Sequence, residues 1–381
     1  MFDDIFSYIK EHQVAEEGAV PLHTPFFGGN EKKYQLDCID STYVSSVGRY
    51  VDTFEQKVAE FTGAKHAIAT VNGTAALHTA LLLAGVLPGD EVITQAVSFV
   101  ATSNAIAYCG AEPVFLDSDK ASLGLSPLAL EEFLIENTEQ GKDDFCYDRR
   151  TGKRISVCVP MHVFGHPTAI ESIVAVCDSF NIRVVEDAAE SLGSYVRQRH
   201  TGTFGALGIL SFNGNKIITT GGGGMVLTDD AQIARKAKHL TTTAKVPHDW
   251  EYAHDTLAFN YRMPNINAAL GCAQIEKISA ILLQKRKLAD QYRRFFESHE
   301  VTFISEPSGC RSNYWLNAIL LSDLEERNLF LELANANGVM CRPIWNLLSD
   351  LPMYKACQTD GLDSARWLWE RVVNIPSSVR L

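Results

Sequence analysis

Between residues 67 and 187 the chain repeatedly alternates short apolar runs with runs of helical length. Strand-like runs fall at 67–71, 91–94, 113–116, 157–162 and 183–186, and helical patterns at 73–84, 101–109, 127–135 and 169–180. Few folds accommodate this alternation. A strand that continues through a helix into the next strand must cross over, so its neighbours lie parallel. The expectation is an α/β architecture with a mostly parallel central sheet covered on both faces.

The order changes after Phe204. Strand patterns at 208–212 and 225–227 flank a glycine-rich turn at 221–224, and a helix is expected over 231–240. Residues 241–255 read as polar and irregular, and 136–154 as a charged surface excursion. Long helices are expected near 265–277 and 281–299. A short amphipathic helix at 1–13, an irregular stretch at 21–30 and a helix at 51–61 come first. The last eighty or so residues read as a small α+β lobe. These patterns suggest a large domain over 1–250, N-terminal arm included, and a smaller C-terminal α+β domain over 251–381.

The 381 residues are 46% apolar and 21% charged, enough for a substantial core. A net charge of −12 argues against a general nucleic-acid binder. The nine cysteines are scattered with no CxxC pair, which suggests free thiols in a reducing compartment. No signal-peptide pattern opens the chain, and no run nears the roughly 18 apolar residues of a membrane span. A cytoplasmic protein with no membrane partner is expected. His162 and His166 are spaced by four, but Gly165 and Pro167 oppose a helix presenting both, so no metal site is expected.

Ligands of open α/β sheets gather where the strands end. Three such ends carry chemistry. Asn72-Gly73-Thr74-Ala75 lies between a strand and a helix, where unpaired N–H groups can hold a phosphate; a plain N-cap is the common alternative. Val184-Val185-Glu186-Asp187-Ala188-Ala189 ends a strand in two carboxylates, which could bind a metal, act as base, pair with a protonated ring nitrogen, or cap a helix. Ser211-Phe212-Asn213-Gly214-Asn215-Lys216 places a lysine after a strand. Such a lysine is either solvated or, if desolvated, a usable amine. The lysine precedes the glycines, so this is not a P-loop.

Taken in order, these segments resemble the DegT/DnrJ/StrS family of sugar aminotransferases, which have the pyridoxal-phosphate-dependent fold type I of aspartate aminotransferase. The resemblance runs from about Pro21 to Pro376. It rests on Val47-Gly48-Arg49-Tyr50-Val51 with Phe54-Glu55, Asn72-Gly73-Thr74-Ala75-Ala76-Leu77, Ser98-Phe99-Val100-Ala101-Thr102, Glu186-Asp187-Ala188-Ala189, Ser211-Phe212 with Lys216, and Asn260-Tyr261-Arg262-Met263.

The resemblance implies a cofactor, pyridoxal 5'-phosphate, joined covalently to Lys216. Asp187 would pair with the ring nitrogen and Phe99 would stack on the ring. Gly73, Thr74, Ala75 and Ser211 would hold the phosphate. Asn260 would reach the phosphate site of a neighbouring subunit, which makes the expected assembly a homodimer with shared sites. The implied reaction moves an amino group, with glutamate as expected donor, to the C4 keto group of a nucleotide-linked deoxy sugar, with Lys216 as proton shuttle. The segments at 21–23, 29–34 and 45–48 most resemble members acting on UDP-linked 4-keto-6-deoxy-N-acetylhexosamines, of legionaminate or bacillosamine type.

Three features depart from the family pattern. Glu190 stands where glutamine is frequent and adds a negative charge beside the cofactor. Gly222 stands where glutamate is frequent, and the chain stops at Leu381 where many relatives continue. Two other readings stand beside the first. One is a pyridoxal-phosphate sugar dehydratase, although such relatives carry histidine at the place of Lys216. The other is a non-catalytic nucleotide-sugar sensor, which would have no need of Asp187, Ser211 and Lys216 together.

Overall fold

The structure is a computed structural model that describes residues 2–13, 15 and 18–381. The strand order along the central sheet is His66–Thr70, Gly224–Thr228, Leu207–Ser211, Arg183–Asp187, Arg154–Val159, Glu91–Gln95 and Glu112–Leu116. Gly224–Thr228 runs antiparallel to both its neighbours, and the remaining pairings are parallel. The expected mostly parallel sheet is therefore present. Its central strands are buried on both faces, Leu207–Ser211 and Gly224–Thr228 along their whole length. That explains why they read as continuous apolar runs rather than alternating ones.

Crossover helices cover the sheet. Helix Gly73–Leu83 is almost wholly apolar and buries Ala76, Leu77, Ala80 and Leu81 against Ile68, Ile209 and Val226. Complete burial of a leucine or isoleucine side chain contributes roughly 1.5–3 kcal/mol. Helix Ala231–Thr241 starts at Asp230, whose Oδ1 accepts from the N–H groups of Gln232 at 2.6 Å and Ile233 at 3.1 Å. Helix Arg49–Thr62 stops at Gly63, which holds φ +77.

Beyond the long helix Ile278–Phe296, the strands Thr302–Phe303, Asn317–Leu320, Val372–Ile375 and Arg342–Pro343 form, in that order, an antiparallel sheet. Helices Leu324–Ala336 and Asp363–Arg371 accompany it. The first helix, Asp3–His12, packs here: Ile5, Phe6 and Ile9 share one apolar cluster with Tyr292, Ile319 and Phe330. Met1 of the expected first helix lies outside the described residues.

Three stretches differ from expectation. The excursion at 136–154 carries a hairpin, Thr138–Gln140 with Cys146–Asp148, which joins the sheet at Arg154–Val159. The irregular stretch at 241–255 holds a two-residue ladder, Lys245–Val246 with Ala253–His254. Helix Glu31–Asp40 gives little sequence signal, because of its residues only Glu31 and Cys38 are buried. Among the described residues no single helix is long and apolar enough to cross a membrane. The pair Asn265–Ile275 and Ile278–Phe296 reaches that length together but is bent by 60°.

Candidate active site

Parallel register brings the C-terminal ends of the strands to one edge, and there a cavity of about 340 Å³ opens. It is lined by Gly73 and Thr74 from the first crossover, Phe99 after the Glu91–Gln95 strand, Asp187 at the end of Arg183–Asp187 and Glu190 just beyond it. Ser211 and Lys216, at and beyond Leu207–Ser211, line it as well. Residues far apart in sequence therefore meet because each follows a strand of the same sheet.

Lys216 is largely buried, with 13% of its side chain exposed. Its Nζ donates to Glu190 Oε1 at 3.0 Å and lies 3.9 Å from the centroid of the Trp315 ring. The other Glu190 oxygen accepts from the Phe164 N–H at 2.9 Å. Burial raises the Glu190 carboxyl above its ordinary range, and the charge of Lys216 opposes that rise. Trp315 is itself fixed at two points: its indole N–H donates to the Asn215 carbonyl at 2.6 Å, and its own carbonyl accepts from buried Lys285 at 2.9 Å.

Asp187 is 4% exposed. Its Oδ2 accepts from the Thr102 hydroxyl at 2.8 Å and its Oδ1 from the Ala189 N–H at 3.1 Å. Burial raises its carboxyl above the usual aspartate range, while these hydrogen bonds and the charge of Lys216 work the other way. The neighbouring carboxylate, Glu186, serves the fold instead. It accepts from the N–H groups of Gly202 and Gly205, each at 2.8 Å, and from that of Phe204. His162 Nδ1 accepts from the Thr168 N–H at 3.1 Å, which leaves the ring proton on Nε2, 3.1 Å from Glu186 Oε2. Of the two carboxylates that end this strand, then, one faces the cavity and the other is absorbed by backbone.

The helix N-terminus is narrower than the sequence suggests. Asn72 caps it, and its Oδ1 accepts from the Ala75 N–H at 2.7 Å. That N–H is thus engaged within the chain, and Ala75 is buried outside the cavity lining. Gly73 and Thr74 remain at the cavity wall. A Cβ placed on Gly73 would stand 3.0 Å from the Ser211 Cβ, so a larger residue there would have to push Ser211 back by a few tenths of an ångström. Phe99 lines the same wall, half exposed, with its ring centroid 6.3 Å from that of Trp345. Asn260 lies elsewhere: it is exposed, bridged to Thr242, and not part of this cavity. The cavity also takes in Trp315 and Trp345, which no motif near the strands announces; both come from the C-terminal lobe. Thr102 could have been found, since it closes the Ser98–Thr102 segment and sits on the first turn of helix Ala101–Tyr108.

Residues 27–381 match the DegT/DnrJ/EryC1/StrS aminotransferase family. The chain is 36% identical over 358 residues to GDP-perosamine synthase of Escherichia coli O157:H7, covering 94% of this chain and 93% of that one. It is 36% identical over 335 residues to the putative pyridoxal phosphate-dependent aminotransferase EpsN of Bacillus subtilis, covering 87% and 83%. Among solved structures, the aminotransferase TlmJ of Streptoalloteichus hindustanus superposes with a TM-score of 0.85 at 25% identity, over 94% of each chain. On the family match over residues 27–381 and the relatives above, the chain belongs to the DegT/DnrJ/EryC1/StrS aminotransferase family and is a pyridoxal-phosphate-dependent enzyme.

Proposed function

We propose that this enzyme transfers an amino group from glutamate to the C4 keto group of a nucleotide-linked deoxy sugar. The observation that carries the reading is the meeting of Lys216, Asp187, Ser211 and Gly73 in one cavity. The groups fit the cofactor. Gly73 and Thr74 offer N–H groups of a helix N-terminus to its phosphate, and Ser211 adds a hydroxyl beside them. Asp187 offers a buried carboxylate to the ring nitrogen, Phe99 an aromatic face, and Lys216 an amine for covalent attachment. When bound, pyridoxal phosphate supplies the electron sink that the reaction needs.

The protein's own part is to bind, exclude water and move a proton. The Thr102 hydroxyl and Ala189 N–H favour the ionised form of Asp187 and so oppose the rise that burial imposes. Lys216, once released, is the group positioned to carry a proton at Nζ, which typically contributes about 10²–10⁴-fold. Trp315 and Trp345 bound the space left for the sugar.

For the nucleotide, the sequence segments favour UDP, whereas relatives named GDP-perosamine synthase favour GDP. Incubation with glutamate and either UDP- or GDP-linked 4-keto-6-deoxy sugar, followed by mass analysis, decides between them. The reading predicts an aminated product from one of the two. A deoxygenated product would replace it with the dehydratase.

The same proposal includes a homodimer, in which exposed Asn260 serves the partner's cofactor phosphate. Mixing inactive Lys216→Ala and Asn260→Ala subunits then restores activity, because a mixed dimer keeps one intact site. Mixtures that stay inactive would sink shared sites. Residues 1–250 as the cofactor-binding part and 251–381 as the smaller part belong to this reading too, with helix Asp3–His12 packed on the latter. A cytoplasmic setting is supported by nine free cysteines, seven of them buried.

A further inference from the structure

We infer that Glu190 is the proton acceptor of Lys216: it receives the proton that the lysine must lose before its amine can bond to the cofactor. The inference rests on the proposed attachment of pyridoxal phosphate at Lys216 and adds a residue to that chemistry.

The difficulty that Glu190 resolves is electrostatic. Lys216 Nζ lies between the Glu190 carboxylate at 3.0 Å and the face of Trp315 at 3.9 Å. Both favour the ammonium form. An ammonium has no lone pair and cannot attack an aldehyde. A site that only stabilised the cation would therefore oppose its own loading. The Lys216–Glu190 contact offers a direct exit. The Nζ–H bond breaks, an Oε1–H bond forms, and the electron pair stays on Nζ. No water or third group has to enter.

Glu190 is built for this exchange. It is 3% exposed, so no bulk water competes for its oxygens. One oxygen faces Lys216 while the other is held by the Phe164 N–H at 2.9 Å, which leaves Oε1 free to take and return a proton. The Glu190 backbone is fixed as well: its carbonyl accepts from Asn313 Nδ2 at 2.8 Å. Phe164 presents its N–H from φ +56, a left-handed conformation that bulky residues rarely adopt. Burial raises the Glu190 carboxyl above its ordinary range against the opposing charge of Lys216, which makes it a stronger base than an exposed glutamate. The ionisable groups that bear on the pair are Asp187 at the strand end, His162 behind Asp187, and His23, which faces Lys216 from the N-terminal segment. None of the three hydrogen-bonds to Lys216 Nζ among the described residues.

The test follows attachment of pyridoxal phosphate to the apoenzyme by its absorbance, at saturating cofactor and without substrate, from pH 6 to 9. Wild type and Glu190→Gln are compared. Glutamine keeps the shape and can still accept a hydrogen bond, but it cannot take a proton. The expected result is attachment slowed about tenfold or more near pH 7 in Glu190→Gln, with recovery towards the wild-type rate at higher pH, where solvent hydroxide can take the proton in place of Glu190. An unchanged rate and profile, a faster rate, or a loss equal at every pH would overturn the inference: a faster rate means that Glu190 chiefly holds the lysine protonated, and a positioning role predicts one of the other two. Wild type that never attaches the cofactor would instead overturn the reading of Lys216 on which the inference rests.

Discussion

A Cβ placed on Gly165 would stand 1.8 Å from Oδ1 of Asn313, so the side chain of Asn313 occupies the space that any other residue at 165 would need. Gly165 also holds φ +95, and its carbonyl accepts from Ser194 Oγ at 2.7 Å and Ser312 Oγ at 2.9 Å. Asn313 Nδ2 donates to the carbonyls of Glu190 and Leu192, at 2.8 and 3.0 Å. These contacts tie residues 312–316 to the segment that carries Glu190. Gly165→Ala is therefore expected to displace Asn313 and to cost about 3 kcal/mol or more, combining backbone strain with lost buried hydrogen bonds. Urea unfolding measures the cost. A loss below about 1 kcal/mol would show that Asn313 can move aside freely.

Asp187 and Thr102 form the second link. Asp187→Asn keeps the shape and removes the charge offered to the ring nitrogen. Turnover should fall by roughly 10²–10³-fold, the scale of removing one preorganised electrostatic partner. Thr102→Val leaves the carboxylate in place but removes its 2.8 Å hydrogen bond. The carboxyl then rises further, and turnover should fall about tenfold, the scale of one lost hydrogen bond to a charged group at ~1.5 kcal/mol. Steady-state rates of the two variants check the order; equal losses would contradict it.

Acid should weaken the fold through two buried histidines. Burial lowers His166 and His200 to about 4. Both are neutral in the folded chain, while in the unfolded chain they take up a proton below about pH 6.5. Their contribution is thus complete above pH 6.5 and is lost as the pH falls towards 4. Each accounts for about 2 kcal/mol between pH 7 and 5. The raised carboxyls of Asp187 and Glu190 act with opposite sign, so the difference between variants is the clean measure. The ring nitrogens of His166 hydrogen-bond to nothing among the described residues, and the ring meets that of Tyr314 edge-on, with centroids 5.3 Å apart. His166→Leu should remove about 2 kcal/mol of the loss between pH 7 and 5, read by urea unfolding at both values. An unchanged loss would contradict the assignment.

Much of this was legible in the sequence because it is local. A buried parallel strand needs an apolar run, and its crossover helix needs a long one, so the alternation from residue 67 to 187 reveals the sheet. Gly73, Asp187, Ser211 and Lys216 each follow a strand, and the sheet brings strand ends together. What comes from further away gave no such signal. Trp315 and Trp345 reach the cavity from the C-terminal lobe, a placement that no periodicity encodes. The engagement of the Ala75 N–H by Asn72 depends on a side-chain rotamer. Glu31–Asp40 escaped notice because too little of it is buried to imprint a pattern. The pairing of Glu190 with Lys216 spans 26 residues and two strand ends, and sequence alone suggested only a charge nearby.

The most direct measurement is to reduce the cofactor-loaded enzyme with borohydride and locate the pyridoxyl group by peptide mass, in wild type and Lys216→Ala. The account predicts one modified residue in wild type, Lys216, and no stable modification in the variant. Modification of another lysine, or a variant that keeps a wild-type visible band, would contradict it.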